Sequence, residues 1–389
     1  MPNVLVRRRP LVRYDEGVHL NFKTGKHYVK GRGAPAQVAP FTSLFTFTGD
    51  ALSYYRAASG LLVPSVANTP RIEYDAAGNL LGLLVEATRT NLGLYSNDLT
   101  NAAWVKSNTT AAKTSTGPDG VASSASRLTA SAGNGTCLQS VTSGSATRAY
   151  SVWLKRITGT GNVDLTVDNA STWTTKTITS DWTRVDISQA AVTNPIFGIR
   201  IVTSADAVDV WCNQLESAAF PSSAIPTTTG SVARAAETCA RTLGAEFSAT
   251  AGTVLAVGRS SGGQDAAANQ FAFSIDDGTL NEEFRLVRNT GTDTAQYAVI
   301  DGAGAQAALT GTFANATAFK AALAWTASDF ALSFNGAAVS TDAAGTLPTV
   351  TTLNLQCGPG GGSPMIGHIR TFHYWPERKA NAELVRLAT

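Results

Sequence analysis

The sequence predicts an all-β chain: two tandem β-sandwiches preceded by an extended, partly β N-terminal arm. Three observations carry this. Apolar and polar residues alternate along many short runs, which puts one strand face in a core and the other in water. The runs are short and closely spaced, with turn residues and no helical period between them. Charged residues make up only 15% of the 389 positions, against about 25% in a typical soluble domain. Ser, Thr, Gly, Ala and Asn fill the difference, and they suit polar strand faces and tight turns better than surface helices.

Three regions follow in order. Residues 1–91 hold the alternating run Val4-Leu5-Val6, the pair Tyr54-Tyr55, and strand-like runs at 71–74 and 80–85 around a turn at Asp75–Asn79. Pro35 and Pro40 mark a linker. The region is too irregular for one compact core, so it reads as an anchoring and oligomerisation arm ordered by neighbouring chains. Residues 92–240 carry alternating runs at 149–155, 163–167, 182–187, 196–202 and 207–215. Residues 241–389 carry runs at 253–258, 270–276, 283–287, 295–300, 319–325, 330–334, 352–357 and 366–374. The turns Asp276-Asp277-Gly278 and Asn335-Gly336 suit positive φ. The last stretch, 381–387, has the apolar stripe of one short helix.

Net charge is +2, but residues 1–33 hold eight Lys/Arg against two Asp/Glu. That basic arm, including Arg7-Arg8-Arg9, suits a solvated or interface-buried segment better than a nucleic-acid site. Cys137, Cys212, Cys239 and Cys357 are far apart and form no Cys-x-x-Cys pair. They read as buried thiols rather than a disulfide or zinc framework. No apolar leader opens the chain and no apolar run reaches membrane-spanning length, so neither secretion by a signal peptide nor membrane insertion is expected.

The stretch Leu83–Leu92 (LLVEATRTNL) resembles a segment of tailed-phage and gene-transfer-agent fibre or spike proteins, where such a strand precedes a jelly roll. Asn101–Trp104, Gly117–Gly120, Ser126–Leu128, Gln214–Glu216 and Phe220–Thr227 continue the likeness. Residues 92–240 are similar to a family 4/9 carbohydrate-binding module. Residues 241–389 resemble a concanavalin A-like or laminin G-like sandwich, ending in Gly367–Arg370, Tyr374-Trp375-Pro376 and Ala382–Leu384. The resemblance implies jelly-roll-type sandwiches on a virion surface, assembled in the host cytoplasm. It also implies a homotrimeric, non-enzymatic adhesin for host polysaccharide or capsule, with other virion proteins held by the arm. A purely structural decoration protein and a polysaccharide depolymerase are the alternatives.

Within that frame Trp173 is the candidate sugar platform. It sits in a polar stretch without apolar partners, and Asp168 and Asn169 are its hydrogen-bonding neighbours. Trp153, Trp182 and Trp211 read as core. No cofactor is required. The laminin G likeness allows calcium at Asp276 and Asp277, with Asp293 and Asp301 also available, although a turn role accounts for the first two. Glycoside hydrolysis needs paired carboxylates. The nearest candidates, Glu282 and Glu283, are adjacent in a strand and face opposite ways. No Gly-x-Ser-x-Gly elbow is present, and His368 and His373 sit on opposite strand faces.

Overall fold

The computed structural model describes residues 14–261, 268–292, 294–313 and 317–389. Val4–Val6, Arg7–Arg9 and Asp293 lie outside the described residues. The described residues are all-β, built of antiparallel sheets packed as sandwiches, with a one-turn helix, Phe41–Leu44, and a two-turn helix, Asn381–Ala388.

The first sandwich packs two five-stranded sheets. One runs Val105–Ser107, Gly135–Ser140, Ile196–Ile201, Val163–Thr166, Thr174–Lys176. The other runs Thr109–Ser115, Ala125–Ala130, Ala207–Glu216, Ala146–Thr158, Thr183–Val192. Alternation sets the faces. In Ala146–Thr158, Tyr150, Val152 and Leu154 are fully buried between the sheets. Phe197 meets Trp104 and Tyr150 edge-to-face at centroid distances of 5.5 and 5.0 Å, a favoured aromatic geometry.

The second sandwich sets a ten-stranded sheet against a seven-stranded one. Phe284 stacks on Trp325 at 4.3 Å in its core. Asn335 and Gly336 take φ of 51° and 74° and close a turn in which Ala337 N donates to Phe334 O at 3.1 Å. The helix buries Leu384 and Ala388 against Ala322, Ala324 and Ala331.

The boundary of this sandwich differs from the sequence expectation. Described residues of the 1–91 region supply strands to both of its sheets. Gly17–Asn21 pairs with the last strand, Gly367–Trp375, and Thr46–Thr48 pairs with Thr238–Thr242. Val18, Leu20, Phe22 and Val29 lie in the same core as Trp325. At φ 117° Gly17 leaves no room for a side chain, since a Cβ would stand 1.8 Å from Tyr374 O. The missing clue was long-range partnership, which local alternation does not encode.

A buried charge network ties the two sandwiches. Glu86 accepts from Arg71 Nη2 at 2.8 Å, Arg234 Nη1 at 2.7 Å and Ser223 N at 2.9 Å. Glu237 accepts from Arg71 and, at 2.8 Å, from Glu86 N. All four cysteines are buried and unpaired.

Candidate functional site

Trp173, Asp168 and Asn169 share one loop of the first sandwich. The Asp168 carboxylate accepts from Thr172 N (3.0 Å), Thr172 Oγ1 (2.7 Å) and Thr166 Oγ1 (3.1 Å). Desolvation raises its pKa, and these bonds outweigh that and leave it below the ordinary value. Asn169 sits at φ 65° and accepts from Ile196 N at 2.8 Å. Both side-chain oxygens therefore brace the loop. The guanidinium of Arg200 lies 4.4 Å from the Trp173 ring centre, and Asp164 holds that arginine at 2.6 Å.

Asp276 and Asp277 part company. Asp276 is buried and accepts from Ser274 Oγ at 2.5 Å, Asn354 Nδ2 at 2.7 Å and Gly278 N at 2.9 Å. Burial pushes its pKa up. Asp277 is exposed, and Thr279 caps it through N and Oγ1 at 2.8 and 2.7 Å, which lowers its pKa. Asp301 accepts from Thr346. Among the described residues, no group of three or more His, Cys, Asp or Glu side chains is placed to hold a metal ion.

Glu283 stands directly across the ladder from Asp276, on the same sheet face, so a paired acid exists that sequence adjacency hid. Both side chains are sealed from solvent. Glu283 binds Arg285, yet its Oε2 is buried with no partner. Burial, only partly offset by Arg285, pushes its carboxyl up to about 7. The folded chain thus keeps a proton that the unfolded chain loses near pH 4.3. The associated stability is full below that value and lost as pH rises to about 7. We expect Glu283→Gln to remove a decline on the order of 3 kcal/mol across that window. Urea unfolding at pH 4.5 and pH 8 checks this, and equal pH dependence in both proteins would contradict it.

A solvent-open cavity of about 180 Å³ lies between the sandwiches. The first sandwich contributes Trp153, Arg184 and the segment Phe220–Ala224. The connecting segments contribute Tyr54, Glu86, Arg89 and Arg234. The second sandwich contributes Glu73, Ser261, Gln270 and the segment Ser363–His368. Arg56 lies over Trp153 at 5.2 Å and Arg89 over Phe220 at 5.0 Å. Gln270 is 3% exposed, and among the described residues neither its Oε1 nor its Nε2 has a hydrogen-bond partner. Trp153 Nε1 is likewise buried without a partner.

No family model and no curated protein matches the chain. Among solved structures it is similar to the Ruminococcus gnavus IT-sialidase CBM40 bound to α2,3 sialyllactose. That match has 17% identity, covers 36% of this chain and 84% of that one, and has a TM-score of 0.31. A leech intramolecular trans-sialidase matches at 18% identity, 36% and 23% coverage and TM-score 0.31. The binding domain of botulinum neurotoxin DC, in complex with rat synaptotagmin II, matches at 10% identity, 39% coverage of each chain and TM-score 0.31.

One cavity residue had a readable signal. Trp153 lies between Val152 and Leu154, which both point into the core, so a period of two sends it outward. It is half-buried, outside the core between the two sheets but packed against the smaller apolar cluster of Leu62, Trp211 and Ala224 at the cavity wall. His368 and His373 do not sit on opposite faces: a bulge between Ile369 and Thr371 pairs them with Arg259 and Leu255, four apart on the neighbouring strand, so they share a sheet face and are separated along it. His373 Nδ1 contacts His19 Nδ1 at 3.0 Å, while His368 faces the cavity. His368 Nε2 meets Glu73 Oε2 at 2.6 Å, and its Nδ1 lies 3.4 Å from Ser261 Oγ. Acid, imidazole and hydroxyl stand in nucleophile-activating order, although 3.4 Å is long for a working hydrogen bond. Gln270 and Glu73 carried no local signal.

Proposed function

We propose that this chain is a glycan-binding fibre or spike adhesin of a phage or phage-like particle, and that it acts by binding rather than turnover. The sugar enters the cavity between the sandwiches. The unpaired Gln270 amide supports this reading most directly. A buried polar group without a partner costs about 1–3 kcal/mol, and a ligand with a neighbouring donor and acceptor, such as adjacent sugar hydroxyls, offsets that cost. Trp153 supplies an apolar body in the same cavity wall. The virion assignment rests on the order of sequence features from Leu83 to Leu384. Several copies, as in a trimer, would turn weak single-site binding into firm attachment.

The test is binding to host cells and to their extracted capsular polysaccharide. The native chain should bind saturably. Trp153→Ala should weaken binding about ten-fold or more, as loss of 1.4 kcal/mol or more implies. Trp173→Ala should leave it unchanged. Loss in Trp173→Ala alone would return the site to the loop that holds Asp168 and Asn169. Binding by neither native chain nor variants would favour a structural virion component. Release of acyl groups that Ser261→Ala abolishes would make the chain a hydrolase.

A further inference from the structure

The guanidiniums along the seam fall into two classes. Arg71 and Arg234 are matched by Glu86 and Glu237. Arg89 and Arg184 line the same cavity, yet among the described residues neither has a carboxylate partner. Arg89 donates through Nη1 to Thr88 O at 3.3 Å, and its buried Nε has no partner. Arg184 spends Nη2 on Ser151 Oγ at 2.9 Å and Ser222 O at 2.5 Å. The two carboxylates in the wall contact neither arginine. Glu86 bonds Arg71 and Arg234, and Glu73 bonds His368 Nε2 and Arg56 N.

Arg89 and Arg184 are half-buried, and an anion arriving in the cavity is attracted to partly desolvated cations that lack a counter-ion. A guanidinium fork fits the planar carboxylate best, through paired N–H donors. The same cavity offers the Gln270 amide to hydroxyls and Trp153 to an apolar ring face. We infer that the cavity takes an acidic sugar, a carboxylate-bearing residue within the polysaccharide. The inference rests on the glycan-binding reading and narrows it to one class of sugar.

The experiment titrates the full 389-residue chain with four probes: oligogalacturonate, oligosialate, carboxyl-reduced oligogalacturonate and dextran sulfate. At least one carboxylated probe should bind, and the carboxyl-reduced and sulfated probes should bind ten-fold or more weaker. Arg184→Met and Arg89→Met, each checked for an unchanged unfolding midpoint, should each lose about ten-fold or more toward the carboxylated probe. The native chain's preference among probes needs no variant, so misfolding of one leaves the test intact. Equal binding of the carboxyl-reduced probe would overturn the acidic-sugar inference while glycan binding stands. Dextran sulfate binding as well as the carboxylated probes would overturn carboxylate recognition. Binding of no probe, and of no host polysaccharide, would overturn both.

Discussion

Residues 241–389 expressed alone should fail to form their sandwich. Gly17–Asn21 is hydrogen-bonded to the last strand, and Lys26–Lys30 pairs with it in turn. Without them the last strand loses a neighbour, and its backbone groups become an open edge prone to association. The core loses more. Val18, Leu20, Phe22 and Val29 are buried in it, with Phe41, Phe45 and Phe47 beside them. At about 1.5–3 kcal/mol for each buried large apolar side chain, the first four alone contribute roughly 6–12 kcal/mol. A domain's whole stability is about 5–15 kcal/mol. The fragment should therefore lack dispersed amide resonances and show no cooperative thermal transition. A chain starting at residue 14 should show both. A cooperatively unfolding 241–389 fragment would refute the shared core.

Much of the fold was legible because one-sided burial writes itself as alternation. Ala146–Thr158 and Thr183–Val192 were plain on that ground. Strands built from small or hydroxylated residues were silent. Thr109–Ser115 (TTAAKTS) and Gly304–Thr312 (GAQAALTGT) offer little contrast between faces. Pairing between Gly17–Asn21 and residues some 350 positions later has no local trace. The cavity was hidden for the same reason. Gln270, Glu73 and Arg184 lie on different strands of two sandwiches and meet only when the seam closes. Trp173 drew attention because its sequence neighbours are polar, yet the cation over its ring, Arg200, arrives from another strand.

Glu86→Ala should destabilise the protein by about 3–5 kcal/mol, the range for removing one partner from a buried ion pair. The carboxylate is shared by Arg71 and Arg234, whose side chains are 1% and 0% exposed. Its loss leaves Glu237 as the remaining carboxylate in contact with Arg71 and strands Arg234 without one among the described residues. Ser223 N loses its acceptor as well, and Ser223 is the link to the first sandwich. The pH response has a fixed sign. Burial opposes ionisation of Glu86, but Arg234, Arg71 and Ser223 hold its carboxyl well below the ordinary range. Its contribution is therefore present above about pH 4.3 and lost as pH falls below that. Glu86→Ala should unfold at lower urea than the native chain at pH 7, with the gap narrowing in acid. The double variant Glu86→Ala, Arg234→Ala should cost less than the sum of the singles, because the second change removes the charge the first left uncompensated. A loss below about 1 kcal/mol at pH 7, or strict additivity, would mean that water compensates these arginines. The seam would then be looser than the binding proposed between the sandwiches requires.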